Sequence, residues 1–226
     1  MSVWIKICGN TSLEDALLAA EAGADAVGFV FAPSPRQITP ELAAAIALRL
    51  PGSVEKIGIF VDSAAEEIEA TVRACGLDGV QLHDSAGPDV TAMLRERLGP
   101  KLRILRVLHY AEGFATQAAA LSKDRNLDAI LVDSRTAAAV GGTGIAFDWK
   151  SAAASLSGGS VSGCRIVVAG GLTPANVAQA IASLMPWGVD VVSGVEAAPG
   201  HKDPAKVRSF VANARAAVAA QSDARV

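Results

Sequence analysis

Short apolar runs alternate, along most of the chain, with longer stretches whose apolar positions recur at helical spacing. The first run, Trp4-Ile5-Lys6-Ile7-Cys8, is closed by Gly9. Side chains alternate along a strand, so Ile5 and Ile7 share one face while Trp4, Lys6 and Cys8 share the other. Thr11-Ser12-Leu13-Glu14 then fits a capping box, with Thr11 as N-cap and Glu14 as its reciprocal partner. Leu13, Leu17, Ala20 and Ala24 follow at roughly helical spacing. Residues 26–31 are a second strand, unbroken in apolar character as a parallel strand buried on both faces would be. A loop stiffened by two prolines, Ala32-Pro33-Ser34-Pro35-Arg36, leads to a helix opened by Thr39-Pro40 that runs to about Leu50.

The unit repeats. Further strands are predicted over 55–61, 79–83, 103–108, 129–132 (ending at Asp133), 165–168 and 189–193. The helices between and after them are predicted over 64–75, 89–98, 113–123, from about Asp148, over 174–184 and from about Pro204 to Ala219. Eight β-α units in sequence, with short connections and no break in composition, predict an α/β fold of one kind: a single (β/α)8 TIM barrel spanning residues 1–226, with a frayed tail. A doubly wound open sheet would usually have fewer strands and a G-x-G-x-x-G after the first, which is absent.

Composition narrows the picture. Hydrophobic residues make up 51% of the chain but aromatics only 4%, so Ala, Val, Leu and Ile must fill the core. A formal net charge of −3 without a basic stripe argues against a nucleic-acid partner. The three cysteines, Cys8, Cys75 and Cys164, are odd in number, far apart and in no CxxC pair. They suggest neither a disulfide framework nor a zinc site, and they fit a reducing cytosol. The N-terminus enters a strand directly, with no basic segment before an apolar one. No apolar run approaches the ~18 residues of a membrane helix. The expectation is a cytoplasmic protein with no membrane partner, monomeric or homodimeric.

Chemistry in a (β/α)8 barrel sits at the C-terminal ends of the strands. Cys8, His83, Asp133 and Ser193 close strands one, four, six and eight. Parity places Lys6 with Cys8, and Gln81 with His83. A charged Lys6 inside a barrel needs a partner. Strand eight neighbours strand one, so Asp190 is the candidate, either as an internal stabilising pair or as a ligand for hydroxyls. Two glycine loops, Ala169-Gly170-Gly171-Leu172-Thr173 and Ser193-Gly194-Val195, follow strands seven and eight, where this fold binds phosphate. Either glycine pair alone more often just makes a turn; together, in this frame, they point to a phosphorylated small molecule. Val140-Gly141-Gly142-Thr143-Gly144 hangs from the candidate acid Asp133 and reads as a mobile cover. Arg36, in its stiff loop near the mouth, suits a carboxylate.

These stretches resemble the phosphoribosylanthranilate isomerase family of tryptophan biosynthesis. The resemblance runs the length of the chain: Lys6-Ile7-Cys8-Gly9; Gly28-Phe29-Val30-Phe31 with Ser34-Pro35-Arg36; Val80-Gln81-Leu82-His83; Asp133-Ser134 with Gly141-Gly142-Thr143-Gly144 and Phe147-Asp148-Trp149; Gly170-Gly171-Leu172 with Asn176-Val177; and Ser193-Gly194-Val195-Glu196 with Pro199-Gly200 and Lys202-Asp203. It implies an Amadori rearrangement of N-(5-phosphoribosyl)anthranilate to 1-(2-carboxyphenylamino)-1-deoxyribulose 5-phosphate, without a cofactor or metal. By the same resemblance Cys8 is the general base and Asp133 the general acid. Arg36 takes the anthranilate carboxylate, Gly171, Ser193 and Gly194 the phosphate, and His83 and Asp190 the ribose, with Gly142 closing over the substrate. Asn10, Asp84 and Val192 depart from the family's usual residues, and none is a catalytic group. The competing readings are another sugar-phosphate barrel enzyme and a non-catalytic phosphate-ligand binder, which would not need both Cys8 and Asp133.

Overall fold

A computed structural model of the chain describes residues 2–83, 87–133 and 164–223. Eight parallel strands close on themselves in sequence order: β1 (Trp4–Ile7), β2 (Ala26–Val30), β3 (Glu55–Val61), β4 (Gly79–His83), β5 (Arg103–His109), β6 (Ala129–Asp133), β7 (Arg165–Ala169) and β8 (Gly188–Val191). The β8–β1 seam sets Lys6 directly opposite Asp190. Around the barrel lie α1 (Leu13–Glu21), α2 (Pro40–Ala47), α3 (Ala65–Cys75), α4 (Pro88–Leu98), α5 (Phe114–Leu121), α6 (Val177–Leu184) and α7 (Pro204–Asp223). A short antiparallel hairpin, β9 (Glu196–Ala198) and β10 (His201–Lys202), stands between β8 and α7. The predicted barrel is therefore the observed one. The cover loop with Gly142, the helix expected from Asp148, and Asp84 lie outside the described residues.

Strand alternation divides the core in two. Ile5, Ile7, Val27, Phe29, Val80 and Leu82 face outward and pack with Ala16, Ile46, Ile68 and Phe210 of the helices. Ala26, Ile57, Leu105, Ala129 and Val167 face inward and fill the barrel. The N-terminal end of the barrel is closed by Trp4 stacked on Trp187 at 5.1 Å. Arg103 lies 5.1 Å and Arg165 4.9 Å from the Trp187 ring centre. Glu55 accepts both arms of Arg103, at 2.8 and 2.6 Å, and the Trp4 indole N–H at 3.2 Å.

Three local expectations are corrected. The N-cap of α1 is Ser12, whose hydroxyl accepts from the Asp15 N–H at 3.1 Å. Thr11 instead donates its hydroxyl to the Gly200 carbonyl at 2.6 Å, tying the first helix to the β9–β10 turn. With the cap moved one residue on, the third helical position is Asp15, and its carboxylate accepts from the Lys202 N–H rather than returning to the cap. The eighth strand ends at Val191, because Ser193–Val195 coil into a 3-10 turn. The last helix continues to Asp223, past Ala219. Among the described residues, no helix is long and apolar enough to cross a membrane.

Candidate active site

The C-terminal ends of the strands surround a cavity of about 270 Å³. Cys8, just beyond β1, and Asp133, the last residue of β6, both line it, and each is almost fully buried. Arg36, His83, Asp190, Gly171, Ser193 and Gly194 line it too, so the fold gathers every site residue expected from the sequence that lies among those described. They come from six different strand ends and the loops after them, which is why no local motif could have joined them.

Cys8 owes its place to its neighbours. Its N–H donates to the Val191 carbonyl at 2.9 Å, continuing the β1–β8 ladder one residue beyond the strand. Gly28 on β2 clears the space for its sulfur, since a Cβ there would lie 2.5 Å from Sγ. Beneath it, Lys6 Nζ stands 2.8 Å from Asp190 Oδ1, with Lys6 wholly enclosed. Burial works against the Lys6 charge, but Asp190 and Cys8 outweigh it and hold the ammonium above its ordinary pKa. The Cys8 thiol goes the same way for another reason: burial pushes it up, and Lys6 and Lys202 offset that only in part against the charge of Asp190. Lys6 thus favours the thiolate, as its place on the same strand face suggests, but desolvation prevails.

The two glycine loops form one surface. A Cβ on Gly194 would lie 1.8 Å from the Leu172 carbonyl oxygen, so Gly194 is demanded by backbone-to-backbone contact whatever the cavity binds. Gly171 adopts φ +64°, a conformation that side chains disfavour, with open space where a Cβ would stand. Asn176 pins this loop, accepting from the Thr173 N–H at 2.8 Å and donating to the Gly171 carbonyl at 3.0 Å. On β4, Gln81 Nε2 lies 3.0 Å from His83 Nε2, which fixes the imidazole at the cavity wall.

Arg36 is held in an unexpected way. Its Nε and Nη2 grip Glu196 at 2.8 and 2.6 Å, a bidentate pair. Glu196 also accepts from Lys202 Nζ at 3.2 Å and from the Gly200 N–H at 3.2 Å. Lys202 Nζ in turn donates to the Cys8 carbonyl at 2.6 Å. Burial opposes the Glu196 charge, but Arg36 and Lys202 outweigh it and the carboxyl lies below the ordinary range. Burial lowers Lys202, against the pull of Glu196. Reading the residues by type and position missed Glu196, Lys202 and Asn176, which entered only as letters of the family resemblance. The available signal was a Glu and a Lys flanking Pro199-Gly200, a turn that brings opposite charges together on a hairpin. Among the described residues no group of His, Cys, Asp and Glu has the arrangement of a metal site.

Fold and cavity together define a (β/α)8-barrel protein with a buried polar site at the C-terminal strand ends. Residues 5–213 match the family described as N-(5'-phosphoribosyl)anthranilate (PRA) isomerase. An N-(5'-phosphoribosyl)anthranilate isomerase from Geobacter sp. (strain M21) is 47% identical over 212 residues, 93% of this chain and 97% of that one. The crystal structure of phosphoribosyl anthranilate isomerase from Thermotoga maritima superposes with a TM-score of 0.84 at 37% identity, covering 95% of this chain and 99% of that one. A further structure of such an isomerase, in complex with reduced 1-(o-carboxyphenylamino)-1-deoxyribulose 5-phosphate, gives a TM-score of 0.80 at 36% identity over 95% of this chain and 99% of that one. The chain belongs to the N-(5'-phosphoribosyl)anthranilate isomerase family, and it is an isomerase of tryptophan biosynthesis.

Proposed function

We propose that this isomerase converts N-(5'-phosphoribosyl)anthranilate to 1-(2-carboxyphenylamino)-1-deoxyribulose 5-phosphate, with Asp133 as general acid and Cys8 as general base. The observation that carries the reading is one cavity walled by Cys8 and Asp133, with Arg36 and the Gly171–Gly194 surface along the same wall. The substrate has two anionic ends, and the cavity offers a guanidinium for one and a glycine-rich nest for the other. The Thr173 N–H is already taken by Asn176, so the phosphate falls to the N–H groups nearer Gly171 and Gly194.

Asp133 gives its proton to the furanose ring oxygen as the C1–O bond breaks and the anilino nitrogen lone pair forms C1=N. Cys8, as thiolate, then removes the proton from C2, and those electrons move to neutralise the iminium nitrogen. The resulting enolamine becomes the ketone when C1 is protonated and the C2 hydroxyl gives up its proton, so no external redox partner is needed. The thiolate forms in a site where burial opposes it. Lys6 beneath and Lys202 behind supply the compensating positive charge. His83 and Asp190 face the ribose hydroxyls.

Turnover is followed by loss of the anthranilate fluorescence of the substrate. The purified chain alone, without added metal or cofactor, is expected to consume N-(5'-phosphoribosyl)anthranilate. A protein that binds the substrate without consuming it contradicts the assignment.

A further inference from the structure

Glu196 has a polar environment that the acid–base chemistry does not use. It is 7% exposed, Lys202 is 5% exposed, and among the described residues their hydrogen bonds toward the site go to Arg36 and the Cys8 carbonyl. A buried carboxylate with two cations on it is costly to assemble unless the arrangement is needed. Its geometry shows what it is suited to do.

A guanidinium has two edges that can each meet a carboxylate with parallel N–H groups. Glu196 occupies the edge made by Nε and Nη2. That leaves Nη1, with the remaining Nη2 hydrogen, as the second edge of Arg36, a residue that lines the cavity. The arginine comes from the loop after β2, and its stem crosses the end of β1. Gly9 makes this crossing possible, since a Cβ there would lie 2.8 Å from Arg36 Cδ. A long side chain reaching that far would otherwise sample many rotamers. Glu196, fixed by Lys202 and the Gly200 N–H, removes that freedom before any ligand arrives.

The charges are as informative as the distances. Glu196 alone would neutralise Arg36 and repel an incoming carboxylate. Lys202 cancels Glu196, so the three groups present one net positive charge at the cavity. A ligand carboxylate on the second edge of Arg36 brings the cluster to neutrality, which a buried site favours.

We propose that Glu196 is a positioning residue that makes the site specific for an aryl carboxylate, by holding one edge of Arg36 so that the other faces the ligand, while Lys202 compensates its charge. This deepens the reading above and rests on it for the identity of the carboxylate-bearing ligand. It also gives the β9–β10 hairpin a function, since that hairpin carries both Glu196 and Lys202.

The test compares two ligands by calorimetry: reduced 1-(2-carboxyphenylamino)-1-deoxyribulose 5-phosphate and its phenylamino counterpart lacking the carboxylate. The wild type should prefer the first by about ten-fold or more, the range of a charge-assisted hydrogen-bonded contact. Glu196→Gln keeps the volume and an acceptor but loses the bidentate grip. It should lose most of that preference, with the Kd of the phenylamino ligand within about two-fold and the effect on turnover lying in KM rather than kcat. Lys202→Met leaves Glu196 to cancel Arg36, and it should weaken the carboxylated ligand selectively. If Glu196→Gln does not fold, the Glu196→Gln/Lys202→Met double variant should show the same loss of preference. A variant that keeps the wild-type preference, or weakens both ligands alike, overturns the proposal while the isomerase reading stands. A wild type that turns substrate over yet binds both ligands equally also overturns it. A wild type that consumes no N-(5'-phosphoribosyl)anthranilate contradicts the reaction assignment instead.

Discussion

The two mouths of the barrel solve opposite problems with the same eight strands. At the N-terminal mouth, bulk closes the tube: Trp4 and Trp187 stack, and Arg103 and Arg165 lie on the rings. Glu55 answers Arg103 in a bidentate pair, so charge, ring and indole N–H are all matched within the plug. At the C-terminal mouth glycines of one strand and two loops take the place of bulk. Gly28, Gly171 and Gly194 leave space or admit close backbone contact, and a cavity remains. Charged groups there are paired in chains rather than closed sets. Arg36 grips Glu196 with one edge and keeps another, and Lys6 and Asp190 stack beneath a thiol. A single strand shows the contrast: on the inward face of β1, Trp4 seals one end and Cys8, one residue past it, opens on the other. The lesson is that stability and chemistry are separated along the strand axis, as the barrel architecture allows.

The separation can be broken from either side. Cys8→Ala and Asp133→Asn should lower kcat by about 10²–10⁴-fold, the range for loss of a general acid or base. The product Kd and the melting temperature should stay close to wild type, and near-normal kcat in either variant removes that residue from the mechanism. Trp4→Ala should do the reverse. Emptying the plug should cost about 3–5 kcal/mol in urea unfolding, with turnover per folded molecule little changed. A large drop in kcat at full folding would show that the two mouths are coupled.

Arg36 sharpens the comparison within the upper mouth. Arg36→Ala should raise KM by roughly ten-fold or more through loss of a charge-assisted contact. Arg36→Lys should raise it less, since charge survives but the fork does not. Equal weakening of a phosphate-bearing analogue without the carboxylate would assign Arg36 to another part of the ligand.

The smallest effect concerns pH. Only the thiolate is alkylated, and burial holds the Cys8 thiol above the ordinary value of 9.0. Its reaction with iodoacetamide, followed on the Cys8 peptide in the free enzyme, should therefore still be rising with pH above that value. Lys6 lowers the thiol pKa, so Lys6→Met should move the midpoint higher again, and a shift downward would contradict the role given to Lys6.

Much of the barrel was legible because parallel strands buried on both faces leave apolar runs that need no tertiary information to be seen, as in Ala26–Val30 and Ala129–Asp133. Alternation along β1 put Lys6 on the same face as Cys8, and closure of the barrel made Asp190 its candidate partner; the register that sets the two opposite, 2.8 Å apart, came from the tertiary structure. The helix cap was harder. Thr11 and Ser12 are equally good caps by composition, and the Gly200 carbonyl, which takes the Thr11 hydroxyl, is far along the chain.

What the amino-acid order determined by itself is periodic or local: where strands run and which side chains of a strand share a face. What only the tertiary structure decided depends on meetings between distant segments. Glu196 meets Arg36 across 160 positions, and Lys202 meets the Cys8 carbonyl across 194. The ionisation of Cys8 belongs to the same class, because it is the balance of burial against Lys6, Lys202 and Asp190. Solvation and charge act through space, and that balance exists only once the barrel has closed around the thiol.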